Sequence, residues 1–171
     1  MGQTPKSKLE ALKRERRQAK AARKRAEKVR SMQVRFLIVC EGTQTEPLYF
    51  KALSKVRRSA VAEVREGDIV GLGRSTCVLV RDTKKLRDQL ERERGLRFDR
   101  VWVVFDKDDN PDFNDAITLA EKCGINCAWS NEAFELWYVL HFVRLDTAID
   151  RSAYIRILER EVRRHAGYGN Y

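Results

Sequence analysis

Val34-Arg35-Phe36-Leu37-Ile38-Val39-Cys40, running into Glu41-Gly42-Thr43-Gln44, is the stretch that decides the fold. Its almost unbroken apolar run, rich in β-branched residues, reads as a strand buried on both faces of a parallel sheet. A turn follows, and Thr45-Glu46-Pro47 opens a helix expected to reach about Arg58, with Thr45 as N-cap and Glu46 at the positive end of the helix dipole. A second strand of the same kind, Arg100 to Phe105 (RVWVVF), ends in Asp106-Lys107-Asp108-Asp109-Asn110-Pro111. Between the two, Ala62 to Val70 reads as a weaker strand. Ser75 then caps an amphipathic helix through Arg94, with Val78, Leu79, Leu86 and Leu90 on its apolar side and Gly95 as its stop. After RVWVVF come a helix from about Phe113 to Cys123 stopped by Gly124, and a strand from Ile125 to Trp129. Ser130-Asn131 leads into a helix from Glu132 to Phe142, and a last helix runs from about Ser152 to His165. Strands alternating with helices imply an α/β fold: a parallel four-stranded sheet with helices on both faces.

Upstream of this domain the composition changes. Residues 1–30 hold twelve Lys and Arg against three Glu, a net +9 of the chain's +10, so the rest is nearly neutral. The chain therefore divides into a basic helical arm (1–32) and an α/β domain (33–171). Thr4 is the expected N-cap of the arm and Pro5 its first helical residue. Its apolar stripe is thin (Leu9, Leu12, Ala19, Ala22, Ala26, Val29), which predicts a projecting helix. Arg14, Arg16, Arg17, Arg23, Lys24 and Arg25 are candidate phosphate contacts; a solvated arm, or one that meets a protein partner, is the competing reading. No aromatic residue interrupts the arm's charges, which argues against base stacking there.

The 171 residues, 43% hydrophobic, suit one compact domain and exclude global disorder. No run of eighteen apolar residues is present, and the N-terminus has no apolar stretch behind its charges, so neither a membrane span nor a secretory signal is expected. Four cysteines in such a chain point to reduced thiols and a cytoplasmic protein. Cys123 and Cys127 lack a second ligand pair for zinc, Cys40 reads as a small apolar filler, and Gly71-Leu72-Gly73 reads as a turn. The absence of a nucleophile elbow, a Walker loop and a His-Glu-x-x-His motif disfavours serine hydrolases, NTPases and zincins.

Ligands of open α/β sheets bind beyond the carboxyl ends of the strands. Both strong strands end there in acid: Glu41 after the first, Asp106 and Asp108 after RVWVVF. Carboxylates two apart on an extended segment point the same way, and a hard cation such as Mg²⁺ or Mn²⁺ relieves their repulsion. The competing reading is a solvated acidic turn. In Ser130 to Phe142, Phe134, Trp137 and Leu140 read as core. Glu135 is expected to be substantially buried near the strand ends, where a carboxylate needs a cation, a metal or a proton. His141 reads more simply as a hydrogen-bonded boundary residue than as a catalytic one.

Phe36 to Gly42 with Thr45-Glu46-Pro47 and Tyr49-Phe50, Val103 to Asp108, and Ser130-Asn131 with Phe134 to Trp137 and Leu140-His141-Phe142 together resemble the RloB family, from about Val34 to Tyr171. The resemblance implies a Toprim-like sheet whose marker acids fall on Glu41, Asp106 and Asp108, as ligands of Mg²⁺ or Mn²⁺ at a scissile phosphate. Glu41, Glu46, Glu135 and His141 are the candidate catalytic residues. The resemblance also implies phage defence or abortive infection, often with an ATPase partner encoded alongside, and a further helical segment beyond Tyr171, so that the domain reads as shortened. The function expected is a metal-dependent nuclease acting on DNA or RNA. The alternatives are a non-catalytic nucleic-acid-binding or regulatory subunit of a defence complex, and an enzyme that makes or breaks nucleotide bonds without cutting polymers.

Overall fold

The computed structural model describes residues 5–30, 34–56, 62–107 and 110–165. In chain order they form α1 (Pro5–Arg30), β1 (Val34–Cys40), α2 (Thr45–Val56), β2 (Ala62–Glu63), β3 (Ile69–Gly71), α3 (Thr76–Arg94), β4 (Arg100–Lys107), α4 (Phe113–Lys122), β5 (Asn126–Asn131), α5 (Glu135–Leu140) and α6 (Arg151–His165). All strand pairings are parallel, in the order β2-β1-β4-β5, with β3 also pairing β1. The sheet is thus four positions wide and flanked by helices, consistent with a Toprim-like fold.

Alternation along the central strands builds both faces. Leu37 and Val39 of β1 and Val101, Val103 and Phe105 of β4 pack under α3 and α4, with Leu79, Val80, Ala116 and Ala120. Ile38, Cys40 and Val104 face the other way, toward Tyr49 and Phe50 of α2 and Phe134 and Trp137 beside and in α5. The chain leaves β1 in one direction toward β2 and β3, then crosses back to β4 and β5. The topological switch point therefore lies between the carboxyl ends of β1 and β4.

Several elements depart from the sequence reading. The strand expected from Ala62 to Val70 is split into β2 and β3 by a 3₁₀ turn, Glu66–Asp68. Gly67 and Asp68 are poor strand formers, and the buried Asp68 carboxylate turns to an ion pair with Arg94. Gly71 ends β3 opposite Cys40 rather than sitting in a turn. Gln44, not Thr45, caps α2, its carbonyl accepting the Leu48 N–H at 2.9 Å. Val78 points outward, and Leu79, Val80 and Thr83 take the inner side of α3. Asp106 and Lys107 continue β4, while Ser130 and Asn131 continue β5 as their partners. Glu132 then adopts φ 61°, its carboxylate accepting the Arg151 N–H at 2.7 Å, and the helix starts only at Glu135.

Glu10 and residues 13–25 of α1 are exposed, as the thin stripe predicts. Among the described residues no helix is long and apolar enough to cross a membrane. The expected cap at Thr4 and the chain end after His165 lie outside the described residues.

Candidate active site

Glu41 is the first residue past β1 and Asp106 the seventh of β4, so the two sit side by side at the switch point. The Glu41 N–H donates to the Val104 carbonyl at 2.8 Å, and its Oε2 accepts the Asp106 N–H at 3.2 Å. Asp106 Oδ2 accepts the Phe134 N–H at 3.2 Å. Its other oxygen, Oδ1, is buried with no hydrogen-bond partner, as is the hydroxyl of Ser130, its neighbour in register on β5. Burial, above all, pushes the Asp106 carboxyl up to about 6; Glu46 and Glu41 add to the rise. The nearby Ser130 hydroxyl, short of hydrogen-bond geometry, and the Phe134 N–H hold it back.

Glu46 lies in the first turn of α2, yet it is buried at 7% exposure, its Oε1 accepting the Gly42 N–H at 3.0 Å. A Cβ on Gly42 would fall 2.2 Å from Glu46 Oε2, so glycine here makes room for the carboxylate. Gly71 does the same for the backbone, since its Cβ would lie 2.2 Å from the Gly42 carbonyl. These two glycines bring β3, the loop after β1 and α2 together under the acids.

Glu135 is half-buried in the first turn of α5, directly after the residue whose N–H holds Asp106. It has no basic partner among the described residues. Burial, above all, pushes the Tyr138 phenol up, and Tyr49, Glu135 and Glu46 add to the rise. His141 is exposed at the end of α5 and shares a 2.9 Å hydrogen bond with the Tyr49 hydroxyl. Tyr49 meets Phe50, Phe134 and Tyr138 edge-on at 5.1, 5.3 and 5.4 Å. Glu41 and Glu46 thus lie close enough to Asp106 to raise its carboxyl, while His141 touches Tyr49 of the aromatic cluster and Glu135 follows Phe134. Ser130, Tyr49 and Tyr138 are neighbours that the sequence reading did not name as site residues, although Ser130 and Tyr49 lie in the segments that carry the family resemblance. Only the position of Ser130 at a strand end could have pointed to it.

Asp108 lies outside the described residues. Among those described, no three His, Cys, Asp or Glu side chains converge as a metal-holding group. The donor chemistry nevertheless fits a hard divalent cation. The set is all oxygen, one buried carboxylate oxygen has no partner, and Mg²⁺ commonly takes only one or two protein carboxylates. The basic residues of the arm, Arg14, Arg16, Arg17, Arg23, Lys24 and Arg25, are all exposed, and none pairs with a carboxylate among the described residues. All four cysteines are free thiols, and burial with the nearby Glu46 charge pushes the Cys40 thiol far up, which leaves it unreactive.

No curated protein and no solved structure matches the chain significantly. The family described as RloB-like protein matches residues 36–171, from within β1 onward, leaving the arm outside. On that match the chain belongs to the RloB-like family.

Proposed function

We propose that the chain is a divalent-cation-dependent nuclease acting in phage defence. The observation that carries this reading is the unpartnered, buried Oδ1 of Asp106 beside Glu41, at the point where an open α/β sheet takes its ligand. Asp106 and Glu41 would hold Mg²⁺ or Mn²⁺, with Asp108 as a further ligand. Bound there, such a cation supplies Lewis-acid polarisation of a phosphate and compensates the charge gained in the transition state. Glu41, whose Oε2 accepts the Asp106 N–H, would hold the cation or instead take a proton from the attacking water. The Glu46 carboxylate, which helps raise the Asp106 carboxyl, would favour a cation at Asp106. The exposed arm would hold the polymer by its phosphates.

The test is purified full chain with plasmid DNA and total tRNA, in Mn²⁺, Mg²⁺ or EDTA. Cleavage is expected with either metal and none in EDTA. Asp106→Asn should lose activity about a hundredfold or more. No cleavage of either polymer overturns the nuclease reading. It would favour the second reading, a nucleic-acid-binding or regulatory subunit working with an ATPase, for which the isolated basic arm is the supporting observation.

A further inference from the structure

Trp129 lies on β5, the edge strand of the sheet, and keeps 46% of its surface exposed. It is one residue from Ser130, the register partner of Asp106, and it is itself the partner of Phe105. Its ring meets Phe113 edge-on at 5.5 Å with an interplanar angle of 88°. Phe113 in turn meets the buried Phe105 at 5.7 Å and 79°, so the exposed ring is anchored to the core. The Lys107 ammonium stands 5.9 Å from the centre of the Phe113 ring, and Lys107 makes no ion pair among the described residues. A large indole exposed in this way loses free energy to water, yet the chain props it in place instead of packing it. An anchored aromatic surface beside an exposed lysine is the equipment that single-stranded nucleic acid requires: stacking for the base and charge for the phosphate.

Resting on the nuclease reading, we infer that Trp129, Phe113 and Lys107 form a platform on which an unpaired nucleotide flanking the scissile phosphate stacks. The alternation of the strands explains why that nucleotide is unpaired. Phe105, Lys107 and Trp129 face the α3 and α4 side of the sheet, whereas Asp106 and Ser130 face the α2 and α5 side. A ligand that touches both sets must pass around the carboxyl end of the β4–β5 pair, from one face of the sheet to the other. Duplex DNA, with a persistence length of about 50 nm, does not make that bend at low cost, whereas a single strand does. The polymer engaged at the acids is therefore single-stranded or locally unpaired. The arm contributes phosphate contacts without this preference.

The test is binding by the full chain in EDTA, so that the outcome does not depend on cleavage. The probes are a fifteen-nucleotide oligo(dT), the matching oligo(U), and a duplex of the same length. Wild type should bind at least one single strand with quenching of tryptophan fluorescence. Trp129→Ala should weaken that binding about tenfold and remove the quench, as the loss of one stacked base does. Trp129→Phe should restore most of the affinity, and the duplex should bind wild type and Trp129→Ala alike. Lys107→Ala should weaken single-strand binding and flatten its salt dependence. The ratio of oligo(dT) to oligo(U) affinity tells DNA from RNA. Single-strand affinity unchanged in Trp129→Ala, with an unaltered melting temperature, overturns the platform; so does an equal loss for duplex and single strand. Either result leaves metal-dependent cleavage to stand or fall by its own assay.

Discussion

At the scale of single residues, the buried Asp106 carboxylate costs the metal-free protein stability. Its folded carboxyl is raised to about 6, above its ordinary value of 3.8. Above pH 6 the metal-free protein carries a penalty for ionising it; as pH falls toward 3.8 the folded state binds a proton that the unfolded chain does not, and the penalty disappears. Asp106→Asn should therefore raise the metal-free melting temperature at pH 7.5, by an amount equivalent to about 1–2 kcal/mol. The gain should shrink to nothing near pH 4, as thermal melts in EDTA across that range will show. The two close glycines separate by what their added methyl would strike. At Gly42 it meets the end of the flexible Glu46 side chain, which swings away, so Gly42→Ala should cost about 1 kcal/mol or less. At Gly71 it meets the Gly42 carbonyl and the Thr43 Cα, backbone that cannot yield. Gly71→Ala should cost about 2–3 kcal/mol by urea denaturation. Glu41 and Asp106 were legible as site candidates because position at a strand end follows from pattern alone. Ser130 and the Tyr49–His141 pair were not, since they arise from contacts across 24 and 92 residues of sequence.

At the scale of elements, β1 and α3 stand where the sequence puts them because local signals agree. A β-branched apolar run makes β1, while Ser75 takes the N-cap position of α3 without a side-chain cap bond and Gly95 at φ 63° ends the helix. The edge of the sheet and the start of α5 were misread because tertiary partners override local preference there. Asp68 leaves strand geometry to pair with Arg94, which ties the β3 edge to α3. Glu132 adopts a left-handed conformation to receive the N–H that begins α6. Removing one member of the first pair strands a buried carboxylate. Arg94→Met should destabilise the fold by about 2–3 kcal/mol, whereas Asp68→Asn combined with Arg94→Met should recover part of that loss. A double-mutant cycle by denaturant unfolding measures both.

At the scale of the whole molecule, charge and chemistry are separated along the chain. Nine of the ten net charges precede residue 31, and the proposed metal ligands all follow it. Replacing Arg14, Arg16, Arg17, Arg23, Lys24 and Arg25 by Gln should leave the melting temperature unchanged, because these side chains are exposed. If all six neutralise phosphates of duplex DNA, the slope of log affinity against log salt should flatten by about 5. A slope that does not change would assign the arm to a protein partner. The central claim concerns the two acids at the switch point, and Mn²⁺ titration of the full chain followed by electron paramagnetic resonance tests it most directly. One Mn²⁺ bound per wild-type chain, lost in both Asp106→Asn and Glu41→Gln while both variants stay folded, is the predicted result. Mn²⁺ bound equally by wild type and both variants, or by none of them, would contradict it.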